Sequence, residues 1–178
     1  MYIKALEVEN FKSFKGETTI PIERGFTAIT GPNGSGKTTL IKLLSGYLQP
    51  TKGVVSLDGQ SLSQWSQKSL SLNIAIVPQQ VTVPFSFTGR QIALLGRLPY
   101  MGLSAPKIQD HKAVDNALEL VGATHLAERT YNSLSAGEKQ KVIVAQALAR
   151  ESRILLLDEP ISHLDIKWQI QTLNCVLH

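Results

Sequence analysis

The segment from Gly31 to Thr38 constrains this chain more than any other part of its sequence. It reads Gly-Pro-Asn-Gly-Ser-Gly-Lys-Thr and matches the pattern G-x-x-x-x-G-K-[ST] of a phosphate-binding loop. The glycines let backbone N–H groups turn toward phosphate oxygens. The apolar run Phe26–Thr30 predicts a buried strand before the loop, and Thr38–Leu44 predicts a helix whose positive dipole end faces the same anion. We therefore expect the chain to bind a nucleoside triphosphate.

Two side chains of this loop have distinct expected roles. Lys37 brings a positive charge to the β- and γ-phosphates, and Thr38 offers its hydroxyl group to Mg²⁺. ATP and Mg²⁺ are therefore the predicted cofactors. The predicted ATP-binding residues are Gly31, Pro32, Asn33, Gly34, Ser35, Gly36, Lys37, Thr38 and Thr39.

A second site element is the apolar run Ile154–Leu157, which Asp158 and Glu159 follow. The run is too short for a helix and predicts a buried strand, so the two acids lie at the carboxyl end of that strand, where α/β sheets bind ligands. Asp158 is placed to hold Mg²⁺, and Glu159 is placed to orient or deprotonate an attacking water molecule. This pair predicts an ATPase.

A third element is the segment Leu134–Glu138, which opens a helix predicted over residues 135–150. Ser135 is the expected N-cap, and Glu138 three residues later completes a capping box. The free N–H groups at such a helix start favour an anion. With the phosphate-binding loop and the Asp-Glu strand, this segment predicts a second contact with a phosphate.

In this order, the three elements resemble the Walker A, signature and Walker B motifs of the ATP-binding cassette (ABC) family. The family's signature is usually Leu-Ser-Gly-Gly-Gln, so Ala136 here replaces a glycine and Glu138 replaces the glutamine. The resemblance implies that the signature segment contacts the ATP of a partner subunit. Its residues are Leu134, Ser135, Ala136, Gly137 and Glu138.

The same resemblance assigns roles to two further loops. Gln79, after Val77 and Pro78, is similar to the Q-loop glutamine, which in the family senses Mg²⁺ and the attacking water, so it joins Glu159 as a catalytic residue and Thr38 and Asp158 as a metal residue. Ser162 and Asp165 are similar to the D-loop, which contacts the partner subunit.

The other patterns predict the remaining architecture. Apolar strands that alternate with helices indicate an α/β fold of the P-loop NTPase type, with a mainly parallel sheet, helices on both faces and antiparallel strands at the N-terminus. We expect one domain over 1–178, with an ATP-binding core in 1–79 and 131–178 and a helical insertion over about 80–130. Further predicted strands are Tyr2–Val8, Thr18–Ile22, Val54–Leu57 and Asn73–Val77, and further helices are 88–98 (ended by Pro99), Lys107–Val121 and Asp165–Leu177.

The stretch Leu40–Leu177 resembles the importer ATPases that serve iron-siderophore, haem and cobalamin uptake, for example in Ile76–Gln79 and Gly96–Tyr100. The resemblance implies a head-to-tail dimer, with itself or a homologous ATPase, that sandwiches ATP and drives a membrane permease. It places the chain in the cytoplasm, on the inner face of the cell membrane. The permease would contact the helical insertion, and Leu95 and Leu103 are the predicted contacts. The alternative is that both leucines belong to the local core.

Composition agrees with a globular, cytosolic protein. The chain is 43% hydrophobic with a mean hydropathy of +0.00, which argues against disorder, and its single cysteine excludes a disulfide framework. No apolar run is long enough to span a membrane, and the charged start is unlike a signal peptide.

Two alternatives compete with an active importer subunit. Residues 1–37 resemble the head of chromosome-maintenance (SMC) ATPases, and residues 37–107 carry seven Lys and Arg against the single acid Asp58. The absence of coiled-coil heptads opposes that alternative, so we expect no DNA partner. The other is a nucleotide-binding fragment without turnover, because the sequence stops at His178, before the strand on which the family carries its switch histidine.

The position of His178 also predicts a C-terminally incomplete fold. We expect the strand Ile154–Leu157 to lack a neighbour. We further expect the apolar side chains of Val142, Leu148 and Leu155 to be under-covered, which would leave the chain marginally stable.

Overall fold

A computed structural model describes residues 5–9, 17–21, 27–29, 37–51, 53–78 and 81–158 of the chain. The strands are β1 Ala5–Glu9, β2 Glu17–Pro21, β3 Thr27–Ile29, β4 Val55–Leu57, β5 Gln60–Ser61, β6 Ile74–Val77 and β7 Ile154–Asp158. The α-helices are α1 Lys37–Leu44, α2 Gln67–Asn73, α3 Gly89–Leu94, α4 Leu98–Met101, α5 Ile108–Leu120 and α6 Ala136–Ala149. Short 3₁₀ turns span Leu62–Gln64, Leu95–Arg97, Thr124–Leu126 and Tyr131–Ser133. The predicted helix Asp165–Leu177 lies outside the described residues.

A parallel sheet in the order β3-β7-β6 forms the centre of the fold. Its middle strand alternates between two apolar layers, as the period of two in a β-strand requires. Ile154 and Leu156 face a layer that α1, α2 and β4 share, and Leu155 and Leu157 pack against the layer of α3, α5 and α6. The predicted parallel sheet with helices on both faces is therefore confirmed.

Strand β7 has a neighbour on each side, which corrects the expectation of an open edge. It pairs with β3 on one side and with β6 on the other. Val142 is completely buried, and Leu148 and Leu155 are half-buried against the surrounding core. The expected lack of cover is therefore wrong for Val142, whereas Leu148 and Leu155 are partly covered.

The predicted N-terminal antiparallel strands form part of a second sheet, in the order β2-β1-β4-β5. Strand β1 pairs antiparallel with both β2 and β4, so the sheet joins residues that are distant in sequence. A tight hairpin links β4 to β5 through Asp58 and Gly59, which both have positive φ, at 54° and 75°. Positive φ at both central residues matches the right-handed twist of the flanking strands.

The predicted helix over 88–98 is interrupted earlier than Pro99. Helix α3 ends at Leu94, a 3₁₀ turn follows over Leu95–Arg97, and Pro99 lies within the first turn of α4. Proline is tolerated there because the first turn of a helix has no intrahelical partner for its N–H groups. The interruption coincides with Gly96, whose backbone packs against the carbonyl of Gln146 in α6.

Helices α5 and α6 agree with the sequence analysis. Each residue of the predicted apolar stripe, which runs along α5 to its C-cap, is at most 2% exposed. The predicted capping box at the start of α6 is also formed. Both helices pack against α3 in one core with Ala75 and Val77 of β6. The stripe consists of Val114, Ala117, Leu118 and Val121.

Candidate functional site

The carboxyl ends of the three parallel strands lie together at one edge of the sheet. Ile29 at the end of β3 is in register with Asp158 at the end of β7, and Val77 at the end of β6 is in register with Leu157. Residues 30–36 join Ile29 to α1, which begins at Lys37 and packs Leu40 and Leu44 into the same apolar layer as Leu156. The strand that leads into the phosphate-binding loop therefore lies directly beside the strand that ends in Asp158.

The structure places only part of the predicted ATP site. Lys37 opens α1, Thr38 and Thr39 follow in its first turn with exposed side chains, and Asp158 closes β7. The other predicted residues of this site and of the D-loop lie outside the described residues. They are Gly31, Pro32, Asn33, Gly34, Ser35, Gly36, Gln79, Glu159, Ser162 and Asp165.

The signature segment is fully described and begins α6 with a reciprocal cap. The Ser135 N–H donates to Oε2 of Glu138 at 2.8 Å, and the Glu138 N–H donates to Oγ of Ser135 at 3.4 Å. Leu134 is 4% exposed and anchors the segment in the core, whereas Ser135 and Ala136 are exposed and Gly137 is half-buried. The segment therefore presents the start of a 14-residue helix to solvent from a fixed base.

Glu138 brings a negative charge to this helix start. The hydrogen bond from the Ser135 N–H contributes most to lowering the pKa of the Glu138 carboxyl group, and the nearby Arg129 guanidinium lowers it further. Nη1 of Arg129 donates to Oε1 of Glu138 at 2.7 Å. Sequence reasoning did not find Arg129, because the turn Tyr131–Ser133 lies between it and α6 and no periodic pattern links the two.

A second charged cluster ties the opposite end of α6 to the helical residues before it. Arg97 donates to Oδ1 of Asp110 at 2.9 Å, to the carbonyl of Ala149 at 2.8 Å and to Oε2 of Glu151 at 2.7 Å. The Tyr100 ring lies 4.0 Å from the Arg97 guanidinium carbon. The structural role of Arg97 was not predictable from sequence, because its partners are brought to it only by the fold.

Exposed apolar side chains lie beside this cluster. Leu95 and Leu98 are 36% and 48% exposed, Tyr100 is 45% exposed, and Leu103 is fully exposed. Single exposed apolar residues are ordinary, whereas a large contiguous apolar patch is typical of an interaction site. Neither Leu95 nor Leu103 belongs to the buried core, and their contact with a permease stays a prediction.

The described residues hold neither a clustered metal site nor a membrane-spanning helix. In that part of the chain no three His, Cys, Asp or Glu side chains are grouped to hold a metal ion. None of the helices seen there is long and apolar enough to cross a membrane.

The sequence model of the ABC transporter family matches residues 19–162, which is most of the chain. This chain belongs to the ABC transporter family. The matched residues include Gly31–Thr38, Leu134–Glu138 and the pair Asp158 and Glu159. The family resemblance found in the sequence is therefore confirmed.

Three curated relatives are named as transport or import ATP-binding proteins. The chain is 40% identical over 158 residues to the ferric enterobactin transport ATP-binding protein FepC of Escherichia coli, which covers 88% of this chain and 58% of FepC. It is 39% identical over 176 residues to the hemin import ATP-binding protein HmuV of Gloeobacter violaceus, covering 94% of this chain and 60% of HmuV. It is 41% identical over 148 residues to the cobalamin import ATP-binding protein BtuD of Halobacterium salinarum, covering 83% of this chain and 37% of BtuD.

The fold also matches solved structures of the ABC family. An inward-facing metal-chelate type ABC transporter, described as putative in its name, superposes with a TM-score of 0.76 at 32% identity, over 99% of this chain and 68% of that one. The chain spans between a third and two thirds of the length of the three curated relatives above.

Proposed function

We propose that this chain is the ATP-binding and ATP-hydrolysing part of an ABC importer for iron complexes, haem or cobalamin. The observation that supports this most is the register of the parallel sheet, in which Ile29, at the entry to the phosphate-binding loop, lies beside Asp158. The substrate class follows the names of the relatives, which are similar over most of this chain.

ATP would bind at the carboxyl edge of the sheet. The loop Gly31–Gly36 would enclose the phosphates with its N–H groups, and Lys37 would hold the β- and γ-phosphates at the start of α1. Thr38 and Asp158 offer a hydroxyl and a carboxylate oxygen, the kind of donors that Mg²⁺ prefers, so the residues present fit this ion. When bound, Mg²⁺ would offset the negative charge that develops on the phosphates.

Hydrolysis would depend on the residues just beyond two strand ends. Glu159, after β7, would take a proton from the attacking water, and Gln79, after β6, would orient that water. The register of Val77 with Leu157 places the ends of these two strands side by side, which supports a shared role for the residues that follow them.

The signature segment would act on the ATP of a partner subunit in a head-to-tail dimer. Its exposed start, with Ser135 as the cap, suits an anion that approaches from outside the chain. D-loop residues Ser162 and Asp165 would meet the same partner. The permease would bind the helical residues within about 80–130, near Leu95 and Leu103, and hold the ATPase at the inner face of the membrane.

Charge pairing weakens the case for a DNA-linked ATPase. Within the stretch 37–107, Arg90 pairs with Asp115 and Glu128, and Arg97 pairs with Asp110 and Glu151. These acids lie outside that stretch in sequence, so its excess of basic residues overstates the positive charge available to a phosphate backbone.

Nucleotide binding and turnover of three variants test the proposal. Lys37→Ala should weaken ATP binding at least tenfold, whereas Lys42→Ala, an exposed lysine on the same helix, should leave it unchanged. Glu159→Gln keeps the shape of the side chain but removes the base, so it should bind ATP and lose turnover. Equal affinities of the two lysine variants, measured by isothermal titration, would overturn the ATP-site assignment.

A further inference from the structure

The signature segment contains a carboxylate at the place where the proposed function requires an anion to bind. Glu138 lies in the first turn of α6, and its oxygens already accept from the Ser135 N–H and from Arg129. An unpaired carboxylate there would repel a triphosphate, because like charges at short distance oppose each other. The ion pair with Arg129 removes that net charge.

We propose that Arg129 is a positioning residue for the partner subunit's ATP. Arg129 acts by neutralising the charge of Glu138 at the start of α6. This inference rests on the proposed function, because it assumes that the signature segment meets a triphosphate. It also explains how the chain accommodates Glu138 in place of the usual glutamine: the added acid is matched by a basic side chain 2.7 Å away.

The backbone around Arg129 holds it in place for this role. Its N–H donates to the carbonyl of Leu126 at 3.1 Å, and its carbonyl accepts from the Gly89 N–H at 3.0 Å. Gly89 lies so close to this turn that an added Cβ would be 2.5 Å from the Leu126 carbonyl oxygen. Arg129 is therefore fixed between the 3₁₀ turn Thr124–Leu126 and the start of α3, while its side chain reaches α6.

A purely structural role predicts little effect from losing this side chain. The Arg129 side chain is 46% exposed and that of Glu138 is 28% exposed, and ion pairs of this exposure contribute little to folding. The capping box does not need the arginine, because both of its hydrogen bonds join Ser135 and Glu138. An effect on ATP-driven association would therefore come from charge and not from loss of the fold.

Arg90 provides a matched control. Its side chain is 33% exposed and forms ion pairs with Asp115 and Glu128, neither of which belongs to the signature segment. Arg90→Gln therefore removes an arginine of similar exposure and pairing from the same region without changing the charge at Glu138.

The test measures ATP-dependent dimerisation of the full chain by analytical ultracentrifugation, in the Glu159→Gln background to prevent turnover. Arg129→Gln should raise the ATP concentration for half-maximal dimer formation about tenfold. Arg90→Gln should leave it unchanged. In the double variant Arg129→Gln/Glu138→Gln, the value should return to within about twofold of Glu138→Gln alone. At 0.5 M salt, the tenfold difference in this ATP concentration between Arg129→Gln and the chain with Arg129 should become smaller, because the Debye length is then only about 4 Å.

Several results separate the inference from the proposed function. Equal behaviour of Arg129→Gln and Arg90→Gln would overturn the inference alone, and so would an Arg129→Gln defect that is as large with Glu138→Gln as without it. ATP binding to the monomer, measured with a fluorescent ATP analogue, should be unchanged by Arg129→Gln, and a loss there would also overturn the inference. Absence of any ATP-dependent dimer in the reference chain would overturn the proposed head-to-tail function, and the inference with it.

Discussion

Arg97 donates from Nε to Oδ1 of Asp110 at 2.9 Å, and the two side chains are only 7% and 6% exposed. The pair joins the 3₁₀ turn after α3 to the first turn of α5. Because Arg97 also donates to the Ala149 carbonyl, the pair fixes both elements to the C-terminal end of α6. The exposed apolar surface around Leu95 and the signature segment are therefore attached to opposite ends of one helix.

Arg97→Met should destabilise the chain by about 3 kcal/mol, because it leaves Asp110 buried without its charged partner. The free energy of unfolding from urea titration measures this effect. Arg90→Met, which breaks more exposed ion pairs, is the matched control and should cost less than about 1 kcal/mol. Equal losses for the two variants would show that the burial of Arg97 has no energetic consequence.

The Asp110 carboxyl group should make stability depend on acid pH. The hydrogen bond from the Lys107 N–H contributes most to lowering its pKa in the folded chain, followed by the hydrogen bond from the Arg97 side chain. A depressed folded pKa contributes stability that is present above the unfolded value, about 3.9, and is lost as the pH falls through the folded value.

Asp110→Asn provides the corresponding measurement. The unmodified chain should be more stable than this variant at pH 7, and the difference should shrink as the pH is lowered below about 4. Urea unfolding at several pH values measures the difference. A constant gap between pH 7 and pH 2.5 would contradict the assignment of the acid response to Asp110.

Local patterns in the sequence were sufficient to predict the best-defined elements. The Ser135–Glu138 spacing gave the start of α6 because a capping box is complete within four residues. The stripe that includes Val114 and Leu118 gave α5 because burial of one helix face repeats every three to four residues. Helix α2 was missed because Leu70 is its only buried residue, so it has no such stripe.

Contacts between distant residues could not be predicted in this way. The pairing of β1 with β4, the ion pair of Arg129 with Glu138 and that of Arg97 with Asp110 depend on how the chain folds back on itself. The order of β3, β7 and β6 was open for the same reason, although it determines which loops meet at the candidate site. Sequence motifs thus indicated the chemistry, and the fold supplied the supporting charges.

Gly96→Ala should destabilise the chain strongly. A Cβ added at this position would be 2.0 Å from the Gln146 carbonyl oxygen and 3.0 Å from its carbon. That carbonyl belongs to the backbone of α6, so it cannot move aside without distorting the helix. We expect a loss of about 3 kcal/mol in the free energy of unfolding, as for severe overpacking.

Gly102→Ala separates steric overlap from the general effect of replacing a glycine. Gly102 has a φ of 58°, and an added Cβ would have open space around it. Its cost should be about 2 kcal/mol, from backbone strain alone, because φ of 58° with ψ of −120° is a conformation that residues with a Cβ rarely adopt. If Gly96→Ala were no more costly than Gly102→Ala in the same urea titration, the close approach of the 3₁₀ turn to α6 would be incorrect.

The double variant Leu95→Asp/Leu103→Asp should lose association with the permease while the ATPase keeps its fold. Leu95 is 36% exposed and Leu103 is fully exposed, so charges at these positions remain in water and should shift the melting temperature by less than about 3 °C. Desolvating two new carboxylates at a protein interface is costly, so binding there should fall well beyond tenfold.

The control is Leu120→Asp, a similarly exposed leucine at the far end of α5. A pull-down with the permease that co-purifies with the unmodified chain, run beside a thermal melt and an ATP titration, separates the outcomes. A large drop in melting temperature would show that these leucines support the fold. Undiminished permease binding would show that the permease contacts another surface.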